Sequence, residues 1–163
     1  MIKKKIQCKF CQFIKSKKNK FFENELFFVF YDSYPVSPGH VCIIPKRHLA
    51  DFRELNLKEW LELRGLINKT INLIRKTDWV DVYKKIIKEP ISNKSLKFCR
   101  KALAHPKINK KPDAYNQGIN DGRAAGRTID HFHWHIIPRY KDDVKDPVGG
   151  IRNIIPKMGN YLE

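Results

Sequence analysis

The chain has 163 residues, of which 42% are hydrophobic and 12% aromatic, enough for one domain with a substantial core and too few for two ordinary domains. This composition excludes a disordered or collagen-like chain, and no apolar run reaches the roughly 18 residues that a membrane span needs. The net charge of +16 comes from two segments: residues 1–20 carry +8 and residues 84–111 carry +9, which leaves −1 for the rest.

The N-terminus and the cysteines indicate the compartment in which we expect the protein. The basic N-terminus has no apolar stretch behind it, so a secretory signal is not expected. Four cysteines are too few for a disulfide scaffold in a chain of this length. We therefore expect a cytoplasmic protein whose cysteines are free thiols or metal ligands.

The first half of the chain predicts two strands and a helix. Residues 26–31 and 41–44 are short apolar runs separated by turn-forming residues, which is typical of antiparallel strands with a long connection. Asn56 and Glu59 form a capping-box pattern at the start of a helix over 57–76. Its apolar positions fall on one stripe, namely Trp60, Leu63, Ile67, Ile71 and Ile74.

The second half contains an unusual basic segment. Residues 78–111 are rich in lysine and interrupted by Pro90, so we expect a partly helical surface insertion, the most mobile part of the body. An extended segment over 114–120, a glycine-bearing loop and a strand over 128–137 follow, and residues 141–163 form a C-terminal tail. The predicted fold class is α+β, with an antiparallel sheet of about five strands and the long helix across one face.

Three histidines alternate with apolar residues in the last predicted strand. His131, His133 and His135 are separated by Phe132 and Trp134, so in a strand the imidazoles share one face while the apolar side chains enter the core. Neighbours on one face lie about 6.6–6.8 Å apart, which fits contacts along an extended anionic group better than one mononuclear metal site. The row is therefore a candidate catalytic site, with an incidental transition-metal patch as the alternative.

This histidine row resembles the His-φ-His-φ-His-φ-φ signature of the histidine triad (HIT) superfamily of nucleotide hydrolases and transferases, where φ is an apolar residue. Other segments are similar to the family in order and rough spacing: Asp32 with Pro38-Gly39-His40-Val41, Ile44-Pro45-Lys46-Arg47-His48, Asn116-x-Gly118 and Ala125-Gly126-x-Thr128. The resemblance covers residues 8–76 and 112–140, and Pro138-Arg139 is similar to the ending of the dinucleoside polyphosphate hydrolase branch. It implies one HIT domain over residues 1–163.

The resemblance also implies a reaction at the α-phosphate of a nucleotide. His133 attacks the α-phosphorus, a nucleotidyl-histidine forms, and water releases a nucleoside monophosphate. His135 and His40 bind the phosphate and help to protonate the leaving group. The implied substrate contacts are Asp32 with the ribose hydroxyls, Ile44 with the base, and Asn116, Gly126 and Thr128 with phosphate oxygens. Such covalent catalysis divides one difficult displacement into two, and no P-loop is present.

Arg127 departs from the family pattern, since well-studied members have glutamine before the residue that matches Thr128. Arginine pairs with phosphate through a rigid charged fork. We therefore expect Arg127 to bind phosphate, and the sequence leaves the turnover rate open.

Cys8-Lys9-Phe10-Cys11 alone fits a redox pair, a metal site or an incidental pair. A tetrahedral zinc site needs two more ligands. Some branches of the family carry a similar cysteine pair, and the resemblance to them implies His48 and His131 as the other two ligands. It also implies a structural Zn²⁺ that ties the N-terminal arm (1–20) to the catalytic strand. Cys42 and Cys99 are interpreted as a small strand residue and a residue of the insertion.

Two classes of function remain as hypotheses. The first is a hydrolase of dinucleoside polyphosphates such as diadenosine tetraphosphate, with a nucleoside phosphoramidase or nucleotidylyl transferase as the alternative enzyme. The second is a zinc-stabilised basic module that binds nucleic acid, although the basic residues lie outside the motif-bearing segments. The resemblance implies a homodimer formed through the helix and an adjacent strand, and the basic arms predict weak affinity for nucleic acid.

Overall fold

The computed structural model describes residues 8–155, so residues 1–7 and the last part of the tail, 156–163, lie outside the described residues. The described chain forms an open antiparallel sheet of five strands in the order β1-β2-β3-β5-β4, with four α-helices. In chain order the elements are α1 (Lys9–Ser16), β1 (Lys20–Glu23), β2 (Phe27–Tyr31), β3 (Val41–Pro45), α2 (Leu57–Ile74), α3 (Trp79–Lys88), α4 (Asn93–Leu103), β4 (Ala114–Gly118) and β5 (Trp134–Arg139). The predicted α+β class and five-stranded sheet are confirmed.

Different helices cover the two faces of the sheet. One face of β2 and β3 packs with α2, α3 and α4 in the main core, through Phe27, Val29, Val41 and Ile43. The other face packs against α1 and the cysteines beside it, through Phe28, Phe30, Cys42 and Ile44. Strands buried on both faces are continuous apolar runs in sequence, which is why both strands are predictable.

Helix α2 begins with the predicted capping box. Asn56 Oδ1 accepts a hydrogen bond from the Glu59 N–H at 2.9 Å, and the Glu59 carboxylate accepts one from the Asn56 N–H at 2.9 Å. The predicted stripe is only partly correct: Leu63 and Ile74 are buried, whereas Trp60 is 46% exposed. The helix is therefore rotated about its axis relative to the prediction, and its single tryptophan faces outward.

Residues 78–111 form two helices that belong to the core. Trp79, Tyr83 and Cys99 are at most 3% exposed and pack in the main core. The Tyr83 hydroxyl oxygen accepts a hydrogen bond from the Gly39 N–H at 3.1 Å. Gly39 has φ +84°, and a Cβ there would lie 3.1 Å from the Trp79 ring, so this turn requires glycine. The segment is helical in part, as predicted, but the expectation that it lies on the surface is wrong, because only its outer face is lysine-rich.

The last strand begins later than predicted. Strand β5 starts at Trp134, so His131 and His133 lie in the segment before it and only His135 is in the strand. The alternation of faces still holds, because Phe132 and Ile136 are buried in the main core. No helix of residues 8–155 is both long and apolar enough to cross a bilayer.

Candidate active site

An open cavity of about 700 Å³ lies beside the histidines, bordered by α1 and the loop that precedes β5. Its polar lining includes Asp32, Cys42, Thr128, His133 and His135. Its apolar lining includes Phe10, Phe13, Phe30, Ile91 and Ile129. Apolar walls with a few convergent polar groups are typical of a site for a small molecule.

The residues that precede His133 fix the orientation of its imidazole ring. Its Nδ1 donates a hydrogen bond to the His131 carbonyl oxygen at 2.8 Å, and the ring packs edge-on against Phe10 with centroids 5.1 Å apart. A carbonyl only accepts, so the proton of the neutral ring is on Nδ1 and the lone pair is on Nε2. Burial lowers the pKa of His133, which favours the neutral ring at pH 7. This is the state that a nucleophilic imidazole requires.

Four other side chains form a connected polar group at the cavity wall. His135 Nδ1 lies 3.0 Å from His40 Nε2 and 3.2 Å from Cys42 Sγ. The Cys42 thiol donates to Asp32 Oδ2 at 3.3 Å, and His40 Nε2 lies 3.6 Å from the same oxygen. The Tyr34 N–H donates to Asp32 Oδ1 at 2.7 Å, which fixes the carboxylate.

Burial also sets the protonation of this group. It lowers the pKa of His40, and with the nearby imidazoles it lowers that of His135 to about 4, so both rings are neutral at pH 7. Burial raises the pKa of Cys42 well above its ordinary value, so the thiol keeps its proton. Burial alone would raise the pKa of Asp32, but His40 and the two donors on its oxygens outweigh it and hold the pKa below its usual value.

Ile44 does not face the cavity. Its side chain is fully buried, and it packs in the cluster that includes Phe10 and Phe28. The role predicted for Ile44, contact with a base, is therefore open to two aromatic rings that line the cavity, the half-buried Phe13 and the buried Phe30. The strand pattern identified an apolar residue here but not which of its neighbours reaches the surface.

Asn116 lies away from the histidine row. On β4 it pairs with Ile137, two residues along the sheet from the Gly118–His135 pair. Its Oδ1 accepts a hydrogen bond from Arg139 Nη1 at 2.6 Å, and it is not among the residues that line the cavity. The structure therefore does not bring the predicted phosphate ligand to the site.

Asn120 is the asparagine that the structure brings to this region. It lines a small recess together with His133, and its Nδ2 lies 3.9 Å from the position that a Cβ would take on Gly126. The sequence signal was a second Asn-x-Gly pattern at residues 120–122, which directly precedes the glycine-bearing loop. Both patterns fit the sequence, and the structure places Asn120, not Asn116, in the recess beside His133.

The glycine-bearing loop uses its own backbone donors. The Gly126 N–H donates to the Arg123 carbonyl at 2.9 Å and the Arg127 N–H donates to the Gly122 carbonyl at 3.1 Å. Gly126 has φ +88°, a conformation that favours glycine. Two predicted phosphate donors thus stabilise the turn, and Thr128 is the predicted residue of this loop that lines the cavity.

Arg127 is directed away from the main cavity. Its Nη1 donates to the Ala50 carbonyl at 2.9 Å, and its guanidinium lies 3.5 Å from an Asp130 oxygen and 3.9 Å from an Asp121 oxygen. The side chain lines the same small recess as His133. The predicted fork on phosphate is therefore occupied by the protein itself in this structure.

The predicted metal ligands converge on one point. The sulfur-to-nitrogen distances are 3.5 Å from Cys8 to His131, 3.5 Å from Cys11 to His48, and 3.6 Å from Cys11 to His131. Zn–S bonds of about 2.3 Å and Zn–N bonds of about 2.0–2.1 Å give a tetrahedral S···N edge of about 3.5 Å. His131 Nε2 donates to the Pro45 carbonyl at 2.9 Å, so its Nδ1 lone pair faces the sulfurs. The donor set fits a four-coordinate metal ion.

An open antiparallel sheet with His133 lining a cavity, beside a cluster of two cysteines and two histidines that could hold a metal ion, is the arrangement that the HIT resemblance predicts. The model of the HIT domain matches residues 14–142, so the chain belongs to the HIT family. The adenosine 5'-monophosphoramidase of Schizosaccharomyces pombe is 27% identical over 146 residues, which cover 88% of this chain and 83% of that protein.

Two further comparisons agree with this assignment. The bis(5'-adenosyl)-triphosphatase of Dictyostelium discoideum is 27% identical over 128 residues, which cover 77% of this chain and 63% of that protein. A solved HIT family protein from Bacillus anthracis is 27% identical with a TM-score of 0.58, covering 82% of this chain and 74% of that one. The named relatives are enzymes of adenosine nucleotides, and the predicted HIT resemblance is confirmed.

Proposed function

We propose that this protein is a nucleotide hydrolase that cleaves dinucleoside polyphosphates, of the diadenosine tetraphosphate type, at the α-phosphate and releases a nucleoside monophosphate. The observation that carries the proposal is the hydrogen bond from His133 Nδ1 to the His131 carbonyl oxygen. It leaves the lone pair of a neutral ring on Nε2, in a residue that lines the cavity.

The reaction has two displacements. First, His133 Nε2 forms a bond to the α-phosphorus, and the bond from that phosphorus to the bridging oxygen of the polyphosphate breaks. The N–H of the neutral His135 ring, which lies 3.0 Å from His40, donates a hydrogen bond to the leaving oxygen, which departs as a polyphosphate anion. Then water attacks the same phosphorus, the phosphorus–nitrogen bond breaks, the freed electron pair restores the neutral His133 ring, and the proton that water loses passes to solvent.

The other side chains position the nucleotide. Asp32 accepts the ribose hydroxyls, and Phe13 and Phe30 contact the base, in agreement with their places in the cavity lining. Thr128 and Asn120 donate to phosphate oxygens, where fixed donors stabilise the charge that develops in the transition state. Asn120 replaces Asn116 in this assignment.

A nucleoside phosphoramidase is the second candidate, because one relative carries that name and covers 88% of this chain. It would use the same His133 intermediate with an amine as the leaving group. Parallel turnover of diadenosine tetraphosphate and adenosine 5'-phosphoramidate distinguishes the two, and faster turnover of the phosphoramidate would replace the first assignment.

We propose Zn²⁺ as the ion of the Cys8, Cys11, His48 and His131 cluster, since two thiolates and two imidazoles in a tetrahedron favour zinc. When bound, the ion supplies structural cross-linking and no chemistry of the reaction. Cys8 is the N-cap residue of α1 and Cys11 lies within it, and His131 directly precedes the segment that contains His133. These four residues therefore hold the helix against the histidine row.

The assembly and location belong to the same proposal. A homodimer formed through α2 and the edge strand β4 agrees with the exposed apolar residues of α2. The four cysteines, all within residues 8–155, form no disulfide, which agrees with a reducing compartment, and we propose the cytoplasm.

The test is the His133→Ala variant. We expect release of AMP from diadenosine tetraphosphate to fall by at least about 10⁴-fold, since the nucleophile is lost, when nucleotides are separated by chromatography over time. His105→Ala is the matched control: this histidine packs on Tyr140 outside the cavity lining, so its variant keeps the wild-type rate. Retention of most activity by His133→Ala would contradict the proposal.

A further inference from the structure

A second set of metal-binding side chains lies in the wall of the nucleotide cavity. Asp32, His40, Cys42 and His135 each present one donor atom, and the four atoms lie within 4.8 Å of one another. The set shares no residue with the Cys8 cluster. It combines one sulfur, two imidazole nitrogens and one carboxylate oxygen, all of which are zinc ligands in proteins.

The separations match a tetrahedron around one ion. They are 3.0 Å for His40–His135, 3.2 Å for Cys42–His135, 3.3 Å for Cys42–Asp32, 3.6 Å for His40–Asp32 and 3.9 Å for His135–Asp32. Zinc bonds of about 2.0–2.3 Å imply tetrahedral edges of about 3.3–3.6 Å. These five separations lie within about 0.3 Å of that range, and the sixth, from His40 to Cys42, is at most 4.8 Å, so side-chain movement would bring the four donors around one ion.

The surroundings favour an ion at this point. The Tyr34 N–H holds Asp32 Oδ1 at 2.7 Å, so the other carboxylate oxygen faces the set. Asp32, Cys42 and His135 all line the cavity, which gives an ion a path from solvent. The carboxylate and a thiolate together balance the charge of a divalent cation.

Metal binding has two local costs: the Cys42 thiol, whose pKa is raised by burial, must lose its proton to the ion's charge, and a tautomer change is needed at His40. Its Nδ1 accepts a hydrogen bond from the Val36 N–H at 3.5 Å, and an ion on Nε2 would move the ring proton to Nδ1. That contact is at the long limit of a hydrogen bond and is correspondingly weak. Its loss is small beside the formation of a metal–nitrogen bond.

We propose that Asp32, His40, Cys42 and His135 form a second site for a thiophilic divalent cation such as Zn²⁺, and that an ion there excludes the nucleotide. Binding of the ion follows from the donor geometry alone. The exclusion rests on the proposed function, which assigns Asp32 to the ribose and His135 to the leaving group. Cys42 supplies the thiolate that would allow this hydrogen-bonded group to bind a thiophilic cation.

In the experiment, purified protein is first loaded with one equivalent of Zn²⁺ and is then titrated with Co²⁺. Thiolate-to-cobalt charge transfer in the near ultraviolet reports cysteine ligation. We expect wild type to bind one equivalent more than Cys42→Val, with second-site affinity at least about 100-fold weaker in the variant. Cys99→Val is the matched control, since Cys99 is also a fully buried cysteine but lies in α4, and it should bind as wild type does.

Equal stoichiometry in wild type and Cys42→Val, with both folded by circular dichroism, would overturn the site. His135→Asn is a second route that leaves β3 unchanged, and it too should lose the extra equivalent. Displacement of bound AMP by Co²⁺ in wild type and not in Cys42→Val supports the exclusion, whereas simultaneous binding overturns it. Loss of the proposed hydrolase function would be seen in turnover and would leave the metal count unchanged.

Discussion

His131 connects the two halves of the candidate site through three separate atoms. Its Nδ1 lies 3.5 Å from the Cys8 sulfur, its Nε2 donates to the Pro45 carbonyl at the end of β3, and its own carbonyl oxygen accepts the Nδ1 proton of His133. A member of the candidate metal cluster is therefore also the residue that sets the tautomer of His133. Movement of His131 would disturb both the ring orientation and its lone pair.

Asn120 and Asn116 give a testable prediction about the phosphate site. Asn120→Ala should lower the rate of dinucleotide cleavage by about 10- to 1000-fold, because one preorganised donor to the phosphate is lost. Asn116→Ala, which removes an amide that accepts from Arg139, should change the rate by less than about threefold. Both rates are measured with the chromatographic AMP assay at saturating substrate.

Thermal unfolding of both variants serves as the control for folding. A larger rate loss in Asn116→Ala than in Asn120→Ala would restore the assignment made from sequence. Equal and small losses in both would remove an asparagine from the phosphate site altogether.

The position of a side chain was predictable from sequence where it depends on local pattern. It was not predictable where it depends on partners that are distant in the chain. Alternation alone indicated that His133 and His135 share a face apart from Phe132. The partner of Arg127 is a carbonyl at Ala50, 77 positions away in the chain, so no local pattern announces it. Which apolar residue lines the cavity likewise depends on where α1 covers β3, as the burial of Ile44 shows.

The lysines of the N-terminal segment obscure the apolar pattern of helix α1 in the sequence. Residues 1–20 hold eight lysines and no acidic residue, so the segment was expected only as a basic arm. In the described part, Phe10 and Cys11 are buried on the inner side of α1 while most of the lysines are exposed. The helix is short, and isolated helices of this length are unstable in water, so its order depends on contacts with the sheet and the cluster.

Removal of the proposed zinc should therefore loosen α1. Purified wild type should contain close to one tightly held zinc per chain by elemental analysis, and Cys8→Ser should lose it. Because binding free energy of the ion contributes to folding, we expect the unfolding midpoint to fall by several degrees in Cys8→Ser or in wild type dialysed against a strong chelator.

Cys99→Ser supplies the comparison, since Cys99 is a buried cysteine outside the cluster. It is expected to keep the metal even where its stability is lower. Zinc-free wild type with an unchanged unfolding midpoint after chelation would contradict the structural role.

The central elements followed from sequence because their signals are local. The capping box at Asn56 and the apolar runs of β2 and β3 needed no knowledge of the rest of the molecule. The buried face of α2 includes Leu66 and Thr70 in place of Trp60, a choice that depends on how the helix lies on the sheet. The helical character of residues 78–111 was predicted in part, whereas the burial of the inner faces of α3 and α4 in the core was not, because the lysines between their apolar residues dominate the composition.

At the scale of the whole molecule, the uneven charge and the exposed apolar surface have different expected uses. The lysines of residues 84–111 lie mainly on the outer faces of α3 and α4, and weak attraction of nucleic acid to them stays a prediction. Exposed apolar side chains instead gather at the start of α2, where Leu57 is 74%, Trp60 46% and Leu61 59% exposed. Contiguous apolar surface of this kind is typical of an interface.

The position of β4 adds a second reason to expect a second copy. It is the last strand of the order β1-β2-β3-β5-β4, so one row of its backbone groups is available to another strand. The end of α2 lies close to this edge, since Arg75 Nη1 donates to the Pro112 carbonyl just before β4 at 2.9 Å. The exposed apolar residues lie roughly 22 Å away at the other end of the helix, so a two-fold pairing that covers them together with β4 must run along the length of α2.

Trp60→Arg tests this assembly. Wild type should have twice the mass of one chain by light scattering after size exclusion, and the variant should have the mass of a single chain at micromolar concentration, because a charge in the centre of an apolar interface is strongly unfavourable. Val144→Arg is the matched control, as Val144 is 47% exposed against 46% for Trp60 and lies outside α2. A monomeric wild type, or a variant that stays dimeric, would show that this face does not join two copies.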